Sequence, residues 1–175
     1  MHSLGSRASA SEFVALLSVC NAAGRLAQGA ASDAASSHGV PRPAFLVASL
    51  ACLSSILFAL SSTSDPLILF PATAIVGFAF GSLWSFAPVA VVDLFGEKAA
   101  GSVYGCLGAS PAVGGFLLNT LVAGRVYEAH ATNNECFGKA CFGLTFKLGA
   151  LACAAGTAAA FVLFRRTAHM YAGRK

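Results

Sequence analysis

Few side chains in this 175-residue chain are equipped for chemistry, and those that are stand in apolar surroundings. Asn21 and Arg25 are four residues apart, the spacing that puts two side chains on one helix face. A guanidinium beside an amide can hold an anionic solute, pair with a carboxylate, or reach along its own stem to lipid headgroups. Asn119 lies inside a long apolar run, where hydrocarbon offers its amide no partner, so it must bond another helix or line a solute pathway. Trp84 follows Phe80 by four, and the two rings can cap a cavity or pack. Ser110 precedes Pro111, which has no N–H to give; a helix through this point loses one hydrogen bond and bends, and the hydroxyl can satisfy the freed carbonyl.

The cysteines divide into two groups. Cys20, Cys52, Cys106 and Cys153 sit within apolar runs and read as small buried hydrophobes. Cys136 and Cys141 occur in NNECFGKACFG, a polar connection where a disulfide would close a tight loop in an oxidising compartment; otherwise they are free thiols. A metal is not expected there, because a Cys-x4-Cys pair with only His130 nearby lacks a second pair of ligands. No catalytic constellation emerges elsewhere. His2, His38, His130 and His169 fall in connections or tails, Asp93, Glu97 and Glu128 near the ends of apolar runs, and neither a Gly-x-Ser-x-Gly elbow nor a phosphate-binding Gly-rich loop occurs. These observations point away from an enzyme, an ATP-driven pump and any bound cofactor. The net charge of +4 does not point to nucleic acid either, since four of eleven basic residues (Arg165, Arg166, Arg174, Lys175) are gathered at the C-terminal end.

The elements that must position these residues follow from composition. Hydrophobic residues make up 57% of the chain and charged ones 10%, against roughly a quarter charged in a soluble domain, so the solvent that fits is a bilayer. Five apolar segments are predicted as membrane helices: Phe13 to Ala31, interrupted by Asn21 and Arg25; Ala44 to Leu60, with Pro43 suited to a first helical turn; Leu67 to Val92, holding Pro71 and Pro88; Gly101 to Val126, holding Pro111 and Asn119; and Phe142 to Phe164, ending in Arg165 and Arg166. Each approaches the roughly 20 residues that span a hydrocarbon core, whereas barrel strands would be about half that length and would alternate in polarity. The fourth segment carries Gly101, Gly105, Gly108, Gly114 and Gly115, a spacing that predicts close approach to another helix or a bending, moving part.

Lysine and arginine placement orients the spans. If the C-terminal tail is cytoplasmic, so are the turns at 32–43 and 93–100, and that side gathers Arg42, Lys98, Arg165, Arg166, Arg174 and Lys175, in the sense of the positive-inside rule. The 136–141 connection is then on the opposite side, as is the N-terminus. Met1 to Ser11 has no signal-peptide pattern, and with an odd number of spans the front of the chain reads as truncated.

The stretch GFAFGSLWSFAPVAVVDLFGEKAAGSVYG, then ASPAVGG, VAGRVYEAHAT and CFGKACFGLTF, together with the upstream SVCNAAGRLAQGAASDAA, resembles the C-terminal half of the nodulin-like branch of the major facilitator superfamily, which includes plant nuclear-fusion-defective proteins. The resemblance covers roughly residues 14–147. It implies an all-α membrane fold in which the five spans are helices eight to twelve of twelve. Residues 1–12 would replace or abbreviate helix seven, residues 13–165 would be the helical body, and residues 166–175 a basic cytoplasmic tail. It further implies a cavity between two halves, opened alternately to each side. Gly29, Asp33 and Arg42 match the superfamily's cytoplasmic loop pattern in part; Ala34 stands where a basic residue is usual. In that family the acidic residue braces a neighbouring helix end and holds the gate; alternatively Asp33 only ends a helix in water. The expected partners are the bilayer, a small solute, and either the missing N-terminal half or another membrane chain. Two readings of function follow: part of a secondary-active transporter, or a non-transporting fragment that pairs helices with a partner.

Overall fold

The computed structural model describes residues 10–63, 65–130 and 139–172. Among them the protein is helical throughout: α1 (Ala10–Ser37), α2 (Pro43–Ser62), α3 (Pro66–Phe95), α4 (Glu97–Gly115), a π-helical stretch Phe116–Ala123, α5 (Gly124–His130) and α6 (Lys139–Ala172). From α4 to α5 the helix is continuous, so five long rods result. Four are long and apolar enough to cross a membrane: Pro43–Ser62, Leu67–Phe95, Glu97–Ala129 and Cys141–Ala168. The protein is a multi-pass, all-α membrane protein. Rod α1 is of similar length, but Asn21, Arg25, Gln28 and Asp33 make it the most polar.

Local chemistry sets the helix ends. Pro43 opens α2, where a missing N–H costs nothing. Asp65 caps α3, its carboxylate accepting from the Leu67 N–H at 2.9 Å. The connections are shorter than the sequence reading expected. The 32–43 turn shrinks to His38–Arg42, so Asp33 lies in the last turns of α1. The 93–100 turn reduces to Gly96, which at φ 76° ends α3 and starts α4 in one residue. A side chain there would be strained, since only glycine takes a positive φ freely.

Three glycines hold the tightest contact, between α1 and α3. A Cβ on Gly24 would overlap the Phe78 carbonyl, one on Gly81 would overlap the Asn21 carbonyl, and one on Gly77 would come 2.7 Å from the Leu17 carbonyl. The paired residues rise together along both chains (Leu17 with Gly77, Asn21 with Gly81, Gly29 near Ser85), so α1 and α3 run parallel with backbones touching. Buried Ser82 donates to the Phe78 carbonyl at 3.0 Å and reaches the Gly24 carbonyl at 3.4 Å across the contact. Phe13 and Phe70 meet with tilted rings, centroids 4.5 Å apart, near the start of the pair. Helices α2 and α6 form the second close pair, joined by a 2.9 Å bond from Ser54 Oγ to the Ala150 carbonyl, and α3 connects the two pairs.

The glycines of the fourth segment pack differently from expectation. Gly101, Gly105, Gly108 and Gly114 have nothing within 4 Å that an added Cβ would meet, and a Cβ on Gly115 would meet only Asn119 of its own helix. Among described residues, none in Glu97–Ala129 is buried by the rest of the chain. Whatever those glycines approach, it is not another helix described here.

Candidate functional site

At the end of the bundle where α1 and α3 finish and α2 and α4 begin, Arg42 is the hub of a charge cluster. Its guanidinium reaches Asp33 of α1 at 3.0 Å and Asp93 of α3 at 3.6 Å. The side chains of Arg42 and Asp93 are only 18% and 14% exposed, whereas Asp33 is 70% exposed. The sequence reading placed Gly29, Asp33 and Arg42 together and weighted Asp33 most. By geometry Arg42 is the center, with Asp93 the partner that was missed. Asp93 had a sequence signal: a carboxylate one turn from the end of an apolar run must find a cation or water. Gly29 lies beside this end, where a Cβ would sit 3.4 Å from Ser85 Oγ.

Toward the middle of the bundle, Arg25 Nε donates to Asn21 Oδ1 at 3.0 Å, which fixes the guanidinium along α1. Arg25 is exposed and has no carboxylate partner among the described residues. On α3, Trp84 meets Phe80 edge-on at 6.3 Å. Both rings line a pocket of about 210 Å³ between α3 and α4, with Leu83, Ala87, Leu107, Ser110 and Pro111 as the other walls. Trp84 and Ser110, 26 positions apart in the sequence, therefore share one site. Ser110 Oγ donates at 2.7 Å to the Leu107 carbonyl, the group that Pro111 leaves without its helical N–H. Pro88 likewise has no N–H to return to the Trp84 carbonyl.

Helical phase relates Arg25 to this pocket. At about 100° per residue, Arg25 is turned by about 100° from Gly24, and Trp84 by about 60° the opposite way from Gly81. In two parallel right-handed helices in contact at Gly24 and Gly81, these opposite turns bring both side chains to the same side of the seam, the side on which α4 stands. Asn119 lies on the π-helical stretch beyond α4 and is exposed. Wide i→i+5 turns of this kind are rare in helices and are found often at functional positions.

At the other end, Cys141 is fully buried and disulfide-bonded, and Cys20, Cys52, Cys106 and Cys153 are free. Cys136 lies outside the described residues. Tyr127 and Phe142, 6.2 Å apart, hold α5 against the start of α6. Among described residues no cluster of His, Cys, Asp or Glu is grouped to hold a metal.

Comparison with known proteins agrees with this architecture. A curated relative from Saccharomyces cerevisiae, described as "Probable transporter MCH1", is 26% identical over 115 residues, covering 65% of this chain and 24% of the yeast protein. The chain thus spans about a quarter of the length of that relative. No solved structure matches. The family model described as "NFD4, C-terminal domain" matches residues 2–173, so the chain belongs to the NFD4 C-terminal-domain family of nodulin-like membrane proteins.

Proposed function

We propose that this chain forms one wall of the solute pathway of a secondary-active transporter, with the groove between α1, α3 and α4 facing the solute. The supporting observation is the juxtaposition of a guanidinium, held by Asn21 and without a carboxylate partner among the described residues, with the Trp84, Phe80 and Ser110 pocket on the same side of the α1–α3 seam. A cation at membrane depth costs on the order of 3 kcal/mol when left in hydrocarbon, so Arg25 belongs against protein, water or an anion. In this reading Arg25 attracts an anionic solute, the aromatic rings contact its apolar body, and Asn119 lines the pathway on the π-helical stretch beyond α4. The Arg42, Asp33 and Asp93 cluster ties the ends of α1, α2 and α3 and acts as the cytoplasmic gate loop. The second wall comes from helices supplied by an N-terminal half or another membrane chain, since one wall alone encloses nothing.

The test compares uptake into liposomes by the 175-residue chain with uptake by a polypeptide extended upstream to complete two helical halves. A panel of organic anions, amino acids and metal complexes serves as cargo. Saturable uptake by the extended protein alone, lost in Arg25→Ala, is expected. Uptake by the short chain, or full activity of extended Arg25→Ala, refutes the assignment. The alternative, a helix-pairing module without transport, is favoured by one observation: no residue of the Glu97–Ala129 rod is buried, and its glycines meet no other described helix. Lack of uptake by the extended protein across the panel, with stable capture of a second membrane chain, would select it.

A further inference from the structure

We propose that the seam between the start of α2 and the end of α6 is a binding site for one anionic phospholipid, with an acyl chain in the groove and the phosphate on Arg165. Ala44 and Val47 on α2 face Phe161 and Phe164 on α6 across a shallow, apolar groove of about 200 Å³. The Phe161 and Phe164 rings stack 6.1 Å apart, and the Arg165 guanidinium lies over the Phe161 ring, 6.0 Å from its centroid. The charge therefore rests on the rim of the groove rather than trailing into solvent. Arg165 is exposed and has no carboxylate partner among the described residues. Arg42, just ahead of Pro43, is engaged by Asp33 and Asp93 and is not available to a ligand.

Depth and direction fit a lipid. The groove spans the first turn of α2 and the last apolar turn of α6, the level at which an apolar run gives way to charge and at which phosphates of a bilayer lie. The α2 and α6 spans are mostly unburied within the chain, so the groove opens toward hydrocarbon. A phosphate without a tail would leave the groove empty, and an uncharged helix would leave the Arg165 guanidinium unmatched. A molecule with an anionic head and an apolar tail satisfies both parts. This site is independent of the solute pathway proposed above, which lies on the α1–α3–α4 side.

The experiment is native mass spectrometry of the purified chain from mixed micelles holding equal amounts of phosphatidylglycerol and phosphatidylcholine with identical acyl chains. Preferential retention of phosphatidylglycerol is expected. Arg165→Ala should lower that preference by about fivefold, the equivalent of roughly 1 kcal/mol for a basic residue near an anionic surface. Ala44→Leu, which fills the groove and keeps Arg165, and Phe161→Ala, which removes one wall, should each reduce retention, while Lys98→Ala at the same end should not. Soluble glycerophosphate should fail to displace the lipid. Equal retention of the two lipids, full displacement by glycerophosphate, or retention unchanged in both groove variants would overturn the proposal.

Discussion

The same substitution should have opposite signs at two sets of glycines. At Gly24 and Gly81, an alanine Cβ would enter space already held by a carbonyl of the facing helix, and backbone cannot swing aside as a flexible side chain does. The helices must separate, and a gap of 0.5–1 Å already forfeits a quarter to a half of each dispersion contact along the seam. The 3.4 Å reach of Ser82 Oγ to the Gly24 carbonyl goes with them. Overpacking of this kind costs about 3 kcal/mol at the upper end of its usual range, against about 1 kcal/mol gained because alanine favours the helix, for a net loss of about 2 kcal/mol per site. Gly101, Gly105 and Gly108 have open space at the Cβ position, so alanine there should be neutral or gain up to about 1 kcal/mol. The assay is reversible unfolding of the 175-residue chain in mixed micelles, followed by fluorescence of Trp84, the single tryptophan. Gly24→Ala and Gly81→Ala should unfold earlier and Gly105→Ala should not. If the two groups shift together, or Gly24→Ala is as stable as the parent, the touching-backbone account of the α1–α3 seam is wrong.

In the charge cluster, Arg42→Ala should cost more stability than Asp33→Asn in the same unfolding assay. The Asp33 pair is largely exposed and worth at most about 1 kcal/mol, whereas losing Arg42 breaks an ion pair to the mostly buried Asp93, about 3 kcal/mol by the usual cost of breaking such a pair. Equal losses would show that the hub carries no special weight. Cysteine labelling at positions 134 and 173 should find them on opposite sides of the membrane; labelling from one side only would remove a span from the topology. Mass spectrometry of non-reduced peptides should show Cys141 joined to Cys136, and quantitative alkylation of both without reductant would refute that pairing.

What the sequence discloses depends on whether the cause is local. Apolar runs, Pro43 at a first turn and Asp65 before a proline are local causes, and the helices begin and end near them. The extent of α1 was underestimated because Gln28, Ser32 and Asp33 look like a turn, yet Ser32 is buried and the helix runs on to Ser37. Glycine is ambiguous in the same way. Gly77 and Gly81 form a Gly-x3-Gly pair within the most apolar helix, a signal overlooked beside the longer glycine series of α4, and only tertiary structure distinguishes a used stripe from an open one. Trp84 and Ser110 were singled out separately by residue type; that they share a pocket follows from the α3–α4 pairing, which no local pattern encodes. Asp93 was noted only as lying near a helix end because its partner is 51 positions away.

The eight-residue π-helical stretch in the α4–α5 rod has a consequence for how this chain tolerates change in length. In a regular membrane helix, deleting one residue rotates everything beyond it by about 100° and carries a lipid-facing row to another side. Within Phe116–Ala123 the i→i+5 turns are already wide by about one residue per turn, so a single deletion can be absorbed by tightening to i→i+4 bonds. Gly124 to His130 would keep their facing, and Tyr127 its contact with Phe142. Insertions or deletions of one residue among homologous chains should accumulate in this stretch and be excluded from α2 and α3.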